Sequence, residues 1–283
     1  MNRRTLLKNL ICGFSAAVAF GSEQASGAVF SGKKLAKIGL QLYTVRRDLE
    51  KDFAGTLRKV AALGISEVEF AGYFGQKPEN IKKLLAELKL TSPSAHVNLE
   101  NLREDLPQII ADTKAAGHQY LILGYLPEPE RKSLDDYKKL ADLLNKTGEE
   151  CRKSNLQFAY HNHDFEFARM ENQIPYDLLL AQTDAQKVKM ELDLYWITKA
   201  GFDPLYYFEK YPQRFPLVHV KDLDATPKKY FTEVGRGTID FKKIFGRAKI
   251  GGVRHFFVEQ DETPAAPLES VASSVKYLKK LNF

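Results

Sequence analysis

The sequence predicts an α/β protein closed into a single (β/α)8 barrel, and three observations support that expectation. From Lys37 onward, short β-rich runs alternate with helical patterns, and the alternation counts to eight. No Gly-rich dinucleotide fingerprint interrupts it, which favours a closed barrel over an open doubly wound sheet. Acids and histidines recur at the C-terminal ends of the runs, where a barrel gathers residues that are distant along the chain. A length of 283 residues suits one such unit, which typically takes ~250, and no linker rich in Pro, Gly or Ser divides it.

The first run is 38–43, followed by a helix over 53–63 whose Leu57, Val60, Ala61 and Leu63 have mixed three- and four-residue spacing, ended by Gly64. The second strand is 67–71, with a helix near 81–88. The third ends at Ser94-Ala95-His96-Val97, and its helix, 106–116, stops at Gly117. The fourth, 120–124, precedes the long charged amphipathic segment 134–153. The fifth is 156–161, before a helix over 175–181 with proline in its first turn. The sixth is 188–194, with the next helix opened by Asp203-Pro204. The seventh is 215–220 with helix 240–248, and the eighth is 255–259 with helix 268–281. Strand followed by helix, repeated, gives parallel strands covered by helices. The expectation is one TIM barrel over residues 29–283.

Residues 1–28 have the layout of a twin-arginine export signal. Arg3 and Arg4 precede an apolar run from Leu10 to Phe20, too short for a stable membrane anchor, and the small-residue segment Ala25-Ser26-Gly27-Ala28 predicts cleavage after Ala28. The expected location is the periplasm, with no membrane association after the signal is removed. The segment carries Arg3, Arg4 and Lys8 against Glu23, so its removal takes the formal charge from +6 to +4. That mild excess, with no basic block interleaved with aromatics, argues against nucleic-acid binding. Only Cys151 remains in the mature chain, so no internal disulfide is available. The composition, 44% hydrophobic and 28% charged, is that of an ordinary globular protein, and a homo-oligomer stays open.

Two of the six histidines sit two apart in Tyr160-His161-Asn162-His163-Asp164-Phe165-Glu166-Phe167, at the end of an apolar run with acids behind them. Gathered by strand end, the chain also offers Gln41 and Tyr43, Glu69, His96, Tyr125, Glu191 and Asp193, His219 with Lys221, and Glu259 with Asp261. Asp193, His219 and Glu259 would bring two carboxylates and an imidazole to one mouth, a donor set suited to Mn²⁺, Mg²⁺, Co²⁺ or Zn²⁺. His161 is the fourth candidate ligand. His163 is its rival, because strand alternation points both the same way. An ordinary role competes at each position: Asp193 as a cap, His219 as a core histidine, Glu259 as a rim charge.

The segments Gly64-Ile65-Ser66-Glu67-Val68-Glu69-Phe70, Tyr160-His161-Asn162-His163, Leu192-Asp193, Val218-His219-Val220-Lys221-Asp222, Gly235-Arg236-Gly237-Thr238-Ile239-Asp240 and Phe257-Val258-Glu259 resemble the xylose-isomerase-like barrels of the sugar phosphate isomerase/epimerase type. The resemblance spans essentially the whole mature chain. It implies a divalent metal held by Glu, Asp, His and Glu, the last three falling on Asp193, His219 and Glu259. The first glutamate falls at His161, a departure. Trp196 is a second departure, standing where several relatives carry a histidine. The implied chemistry is loss of a proton beside a ketone through an enediolate. Glu259 is the candidate base, His163 or Lys221 would move protons between oxygens, and His96, Glu69 and Arg236 would hold sugar hydroxyls. Trp196 would floor the sugar by stacking. The expected function is a metal-dependent sugar isomerase or epimerase with a small carbohydrate substrate. Elimination from 3-keto-glycosides by the same first step and passive periplasmic sugar binding are the alternatives. Export argues against phosphorylated sugars, and Arg236 alone stands in a glycine-flanked loop suited to phosphate.

Overall fold

A computed structural model describes residues 29–263 and 266–283. The export signal expected over residues 1–28 lies outside them. Eight parallel strands close into a barrel: β1 (Gly39–Gln41), β2 (Glu67–Phe70), β3 (Thr91–Val97), β4 (Tyr120–Leu123), β5 (Gln157–His161), β6 (Val188–Asp193), β7 (Leu217–Val220) and β8 (His255–Val258). Each pairs with its neighbours in the chain, and β8 returns to β1 in the register Phe257 to Gly39 and Val258 to Leu40.

Successive residues of a strand face opposite ways, so each strand serves two cores. Tyr120, Ile122, Ala159, Leu217 and Phe257 pack together inside the barrel. The larger apolar cluster, including Leu40, Val68, Leu121, Phe158, Leu192 and Val218, lies between the strands and the helices. Gly39 shows how tightly the interior is filled, since a Cβ there would stand 2.4 Å from the Phe257 ring. At the N-terminal end a ribbon of Phe30–Ser31 and Lys34–Leu35 brings Phe30 edge-on to Phe256 and Phe283, 6.0 and 5.5 Å between centroids.

The helices begin and end at local signals. Asp52 caps Phe53–Ala62, Ser133 and Asp136 form a reciprocal box at Leu134–Lys153, and Asp203 caps Pro204–Lys210. Gly117, at φ 90°, ends Leu106–Ala116. No helix among the described residues is long and apolar enough to cross a membrane.

The departures from the expected elements gather at the C-terminal mouth. The first strand was expected to reach Tyr43 but stops at Gln41, whose side chain accepts a hydrogen bond from the Tyr43 amide and starts a 3₁₀ turn, Leu42–Val45, and a short helix, Arg46–Lys51. Asn98 caps an additional helix, Leu99–Glu104, directly after β3. Asp193 ends β6 one residue early by capping Leu194–Lys199. After β7, Asp222–Leu223 pairs with Phe231–Thr232 in an antiparallel ribbon.

Candidate active site

Alternation along the strands sets the mouth. Glu191 and Asp193, two apart on β6, face the same way as His161 on β5 and as His219 and Lys221 at the end of β7. Glu259 and Asp261 follow β8, and Glu69 and His96 come from β2 and β3. Asp193 is both a cap and a site residue. Its Oδ1 accepts from the amides of Tyr195 and Trp196, both at 2.9 Å, while Oδ2 faces Lys221 Nζ at 3.0 Å and His161 Nε2 and His219 Nδ1 at 3.8 Å. Glu259 Oε2 lies 2.7 Å from both His219 Nδ1 and Lys221 Nζ. Asp261 Oδ1 takes a third contact from Lys221, at 2.9 Å.

Two further carboxylates stand behind the imidazoles. Glu69 accepts from His219 Nε2 at 2.7 Å, from Gln41 Nε2 at 2.8 Å and from Ser94 Oγ at 2.5 Å. Glu191 Oε2 receives His96 Nε2 at 2.7 Å and lies 3.2 Å from His161 Nδ1. One ring nitrogen of His219 and one of His161 therefore face an acid of the surrounding layer, and the other nitrogen of each faces Asp193. This is how imidazole ligands of metals are commonly oriented.

Five carboxylates surround one ammonium and three imidazoles, and their field sets the protonation pattern. Burial disfavours charge on His219, but Glu191 and Glu259 override it and hold the ring well above the usual imidazole range. Burial opposes His96 likewise, and Glu69 and Glu191 raise it to about 9. His161 goes the other way, pushed well below its ordinary value by burial and by neighbouring His219. Burial and the Lys221 ammonium lower His163 to about 3. Burial raises Asp193 to about 6 against the pull of Lys221. Glu259 is lowered, because Lys221 and His219 outweigh its desolvation. Lys221 is held charged by Asp193, Asp261 and Glu259 despite full burial.

This donor set fits a divalent cation. Two groups of potential ligands share His219: Asp193, His219 and Glu259, and His96, His161, Glu191 and His219. The first is the better candidate, because in the second the Nε2 atoms of His96 and His219 are already hydrogen-bonded to Glu191 and Glu69. In the first, Asp193 Oδ2 and His219 Nδ1 are buried without a hydrogen bond of acceptable geometry. Lys221 Nζ, among three carboxylates, marks where positive charge is wanted. His161 belongs to the second group, and its Nε2 stands 3.8 Å from Asp193 Oδ2 of the first.

The remaining expected residues are divided. His163 lies on the loop past β5, stacked on Phe165 at 5.2 Å and 5.4 Å from Trp196, and lines the same cavity as His161, Lys221 and Glu259. Trp196 packs edge-on to Phe231, with Lys221 Nζ 5.8 Å from its ring. His96 lines the cavity. Glu69 does not, contrary to its expected role in holding sugar hydroxyls, because it is fully buried and its oxygens are taken by His219, Gln41 and Ser94. Arg236 is a second correction. Its side chain is 65% exposed, and its guanidinium faces Glu233 at 3.5 Å. Its glycine-flanked loop is built around an acid instead: the Asp222 carboxylate accepts from the amides of Leu223, Gly235, Gly237 and Ile239 at 2.8 to 3.1 Å. Donors that would cradle a phosphate are therefore occupied by the chain itself.

Glu191 and Asp261 were visible as strand-end acids without an assigned role. Each stands two residues from a candidate ligand, so the period of 2 was the available signal. Asn162, whose Oδ1 accepts from the Asp193 amide at 3.1 Å and ties β5 to β6, carried no such signal.

The family model for the xylose isomerase-like TIM barrel matches residues 57–281. An inosose dehydratase of Lacticaseibacillus casei is 30% identical over 163 residues, 51% of this chain and 54% of that protein. The chain spans about half the length of the dehydratase relatives it matches. The crystal structure of a sugar phosphate isomerase/epimerase of Parabacteroides distasonis superposes with a TM-score of 0.75 at 29% identity, covering 86% of this chain and 98% of that one. The IolI protein, whose crystal structure holds a zinc atom, shares the fold at a TM-score of 0.67 and 12% identity, covering 86% of this chain and 96% of its own.

Proposed function

The chain belongs to the xylose isomerase-like TIM barrel family, and from that premise we propose that it is a divalent-metal-dependent enzyme of the sugar isomerase/epimerase type, acting on a keto-sugar through an enediolate. The observation that carries this is the convergence of Asp193, His219 and Glu259 at the strand ends, with His219 turned toward the other two by its bond to Glu69. His161, Asp193, His219 and Glu259 would hold the cation. When bound, the cation supplies Lewis acidity to a carbonyl and an adjacent hydroxyl oxygen, which acidifies the carbon between them.

The chain's own groups divide the proton work. Glu259, paired with the Lys221 ammonium at 2.7 Å, is the base that removes the proton from that carbon. Lys221 Nζ, 2.7 Å from the same carboxylate, donates to the oxygen on which negative charge develops. His163 lines the cavity, but burial and Lys221 lower its ring to about 3, so it serves as a neutral hydrogen-bond partner for the substrate hydroxyl and not as the expected proton carrier. His96, held positive by Glu69 and Glu191, presents a donor to the substrate's oxygens. Trp196 stands behind His163 at 5.4 Å between centroids and does not itself line the cavity, contrary to the stacking expected of it.

A lyase reading is favoured by a separate observation. Epimerisation calls for a base on each face, and where the family resemblance places a glutamate this chain has the buried, neutral His161. Elimination needs one base and one acid side by side, which Glu259 and Lys221 provide, and dehydration is the reaction of the L. casei relative. A passive sugar-binding role finds no support among these relatives. The twin arginines support a periplasmic setting, and the occupied donors of the 235–239 loop agree with an unphosphorylated substrate.

The test combines metal analysis with isotope exchange. Purified protein is expected to hold about one divalent ion per chain, and Asp193→Ala and His219→Ala to lose it. Incubation with free ketoses and 3-keto-glycosides in deuterated water is expected to give chelator-sensitive exchange beside the carbonyl, with product analysis separating isomers from elimination products. Metal content unchanged in both variants, or no exchange with any such substrate, sinks the proposal.

A further inference from the structure

The cavity at the mouth does not end at the carboxylates. About 640 Å³ in volume, it runs from Lys221 and Glu259 past His96 and His163 and continues along β3 and β4 to the helix Leu106–Ala116. β3 serves both halves. His96 faces the charged half, while Ala95 and Val97, one residue to either side, face away from it by strand alternation. The far half is walled by Tyr73, Ala95, Val97, Ile109 and Leu121, with Thr113, whose hydroxyl is spent on the Ile109 carbonyl at 2.6 Å, and with the exposed Asn98 and Asn101 at its edge. Its one ionisable carboxylate, Asp112, already accepts from Gln108 Nε2 at 2.8 Å. The Tyr73 ring is held in place, stacked on His118 at 5.9 Å and edge-on to Phe70 at 5.9 Å.

A free monosaccharide is polar around its edge and gains nothing from such a compartment. A molecule with a sugar at one end and an apolar ring at the other matches both halves, because burial of apolar surface favours the ring and the charged groups favour the sugar. We infer that the substrate is a glycoside carrying an apolar, aromatic-sized aglycone, with the sugar over Lys221 and Glu259 and the aglycone between Tyr73 and Ile109. This deepens the proposed function and rests on it for the identity of the sugar end.

Calorimetry with methyl β-glucoside and 4-nitrophenyl β-glucoside tests the inference without turnover. The wild-type protein is expected to bind the aryl glycoside at least tenfold more tightly, and Ile109→Trp, which fills the far half, to abolish the difference. Asn101→Trp narrows the rim from an exposed position, and it decides the matter if Ile109→Trp does not fold. An aryl glycoside that binds no more tightly than the methyl one, or a preference that survives the substitutions, overturns the assignment. Loss of deuterium exchange would count against enediolate chemistry alone, since the binding preference is read separately.

Discussion

Replacing Glu69 by glutamine should weaken metal binding 10- to 100-fold while leaving the fold intact. Glu69 is fully buried, and its Oε1 receives both Gln41 Nε2 at 2.8 Å and His219 Nε2 at 2.7 Å. Its Oε2 receives Ser94 Oγ at 2.5 Å. A glutamine can keep its carbonyl oxygen on the first pair and turn its amide toward the serine hydroxyl, which is able to accept. The shape survives and the charge does not. Hydrogen bonds to a charged partner are about twice as strong as neutral ones, so without the carboxylate the His219 ring becomes a weaker electron donor to a cation held with Asp193 and Glu259. Loss of such a supporting carboxylate typically costs 10- to 100-fold in metal affinity, about 1.4 to 2.8 kcal/mol. Glu69→Ala is the poorer experiment, because stranding the His219 and His96 rings would cost about 3 to 5 kcal/mol of stability. Competition titration against a chromophoric chelator, with Zn²⁺ and Mn²⁺, measures the affinity, and thermal melting in chelator monitors the fold. Unchanged affinity would refute the supporting role. A loss as deep as that of His219→Ala would show that Glu69 is itself a ligand.

Other substitutions probe the frame around the site. Glu67, below the barrel, is lowered because hydrogen bonds from His255 at 2.9 Å and Lys37 at 2.8 Å overcome its burial. A lowered carboxylate contributes stability that is present above its unfolded value, about 4.3, and lost as pH falls through its folded value. Glu67→Gln should therefore lower the melting temperature at pH 7, with the gap to wild type closing below about pH 4, and a pH-independent gap would disprove the assignment. Asp222→Ala leaves the amides of Leu223, Gly235, Gly237 and Ile239 without their acceptor. It should cost about 2 to 4 kcal/mol and open the 235–239 loop to protease, whereas an unchanged melt and digestion pattern would remove Asp222 from that role. Arg236→Ala should leave turnover within about twofold, as expected for an exposed side chain, and a tenfold loss would return Arg236 to the site.

The barrel was legible because its signals are local and repeat. Each strand announces itself by a short apolar run, and helix stops at Gly64 and Gly117 need only the residue that adopts positive φ. The short helices at the mouth were not legible, because their starts depend on side chains turned back onto the chain. Gln41 reads as a strand residue until its side-chain carbonyl is seen accepting from the Tyr43 amide, whereas for Asp193 a cap and a site residue were set against each other and the structure makes it both. The misplacement of Arg236 has the same origin. A glycine-flanked arginine looks like an anion loop, and only the fold shows that Asp222, 14 positions earlier in the chain, already supplies the anion.

The His-Asn-His stretch shows where sequence period stops and depth begins. Alternation gives His161 and His163 the same side, but β5 ends at His161, so only that ring is held at the level of the acids. Its centroid lies 4.4 Å from that of His219, with Nε2 facing Asp193 and Nδ1 facing Glu191. Asn162 turns the chain at that level by accepting from the Asp193 amide. His163 therefore rises beyond the strand to stack on Phe165, and its backbone amide is held at 2.8 Å by Glu166, whose carboxyl burial raises to about 7. The two rings are thus suited to different work. His161, wedged between acids, has the position of a ligand; His163, a neutral imidazole at the cavity wall, has that of a hydrogen-bond partner for the substrate.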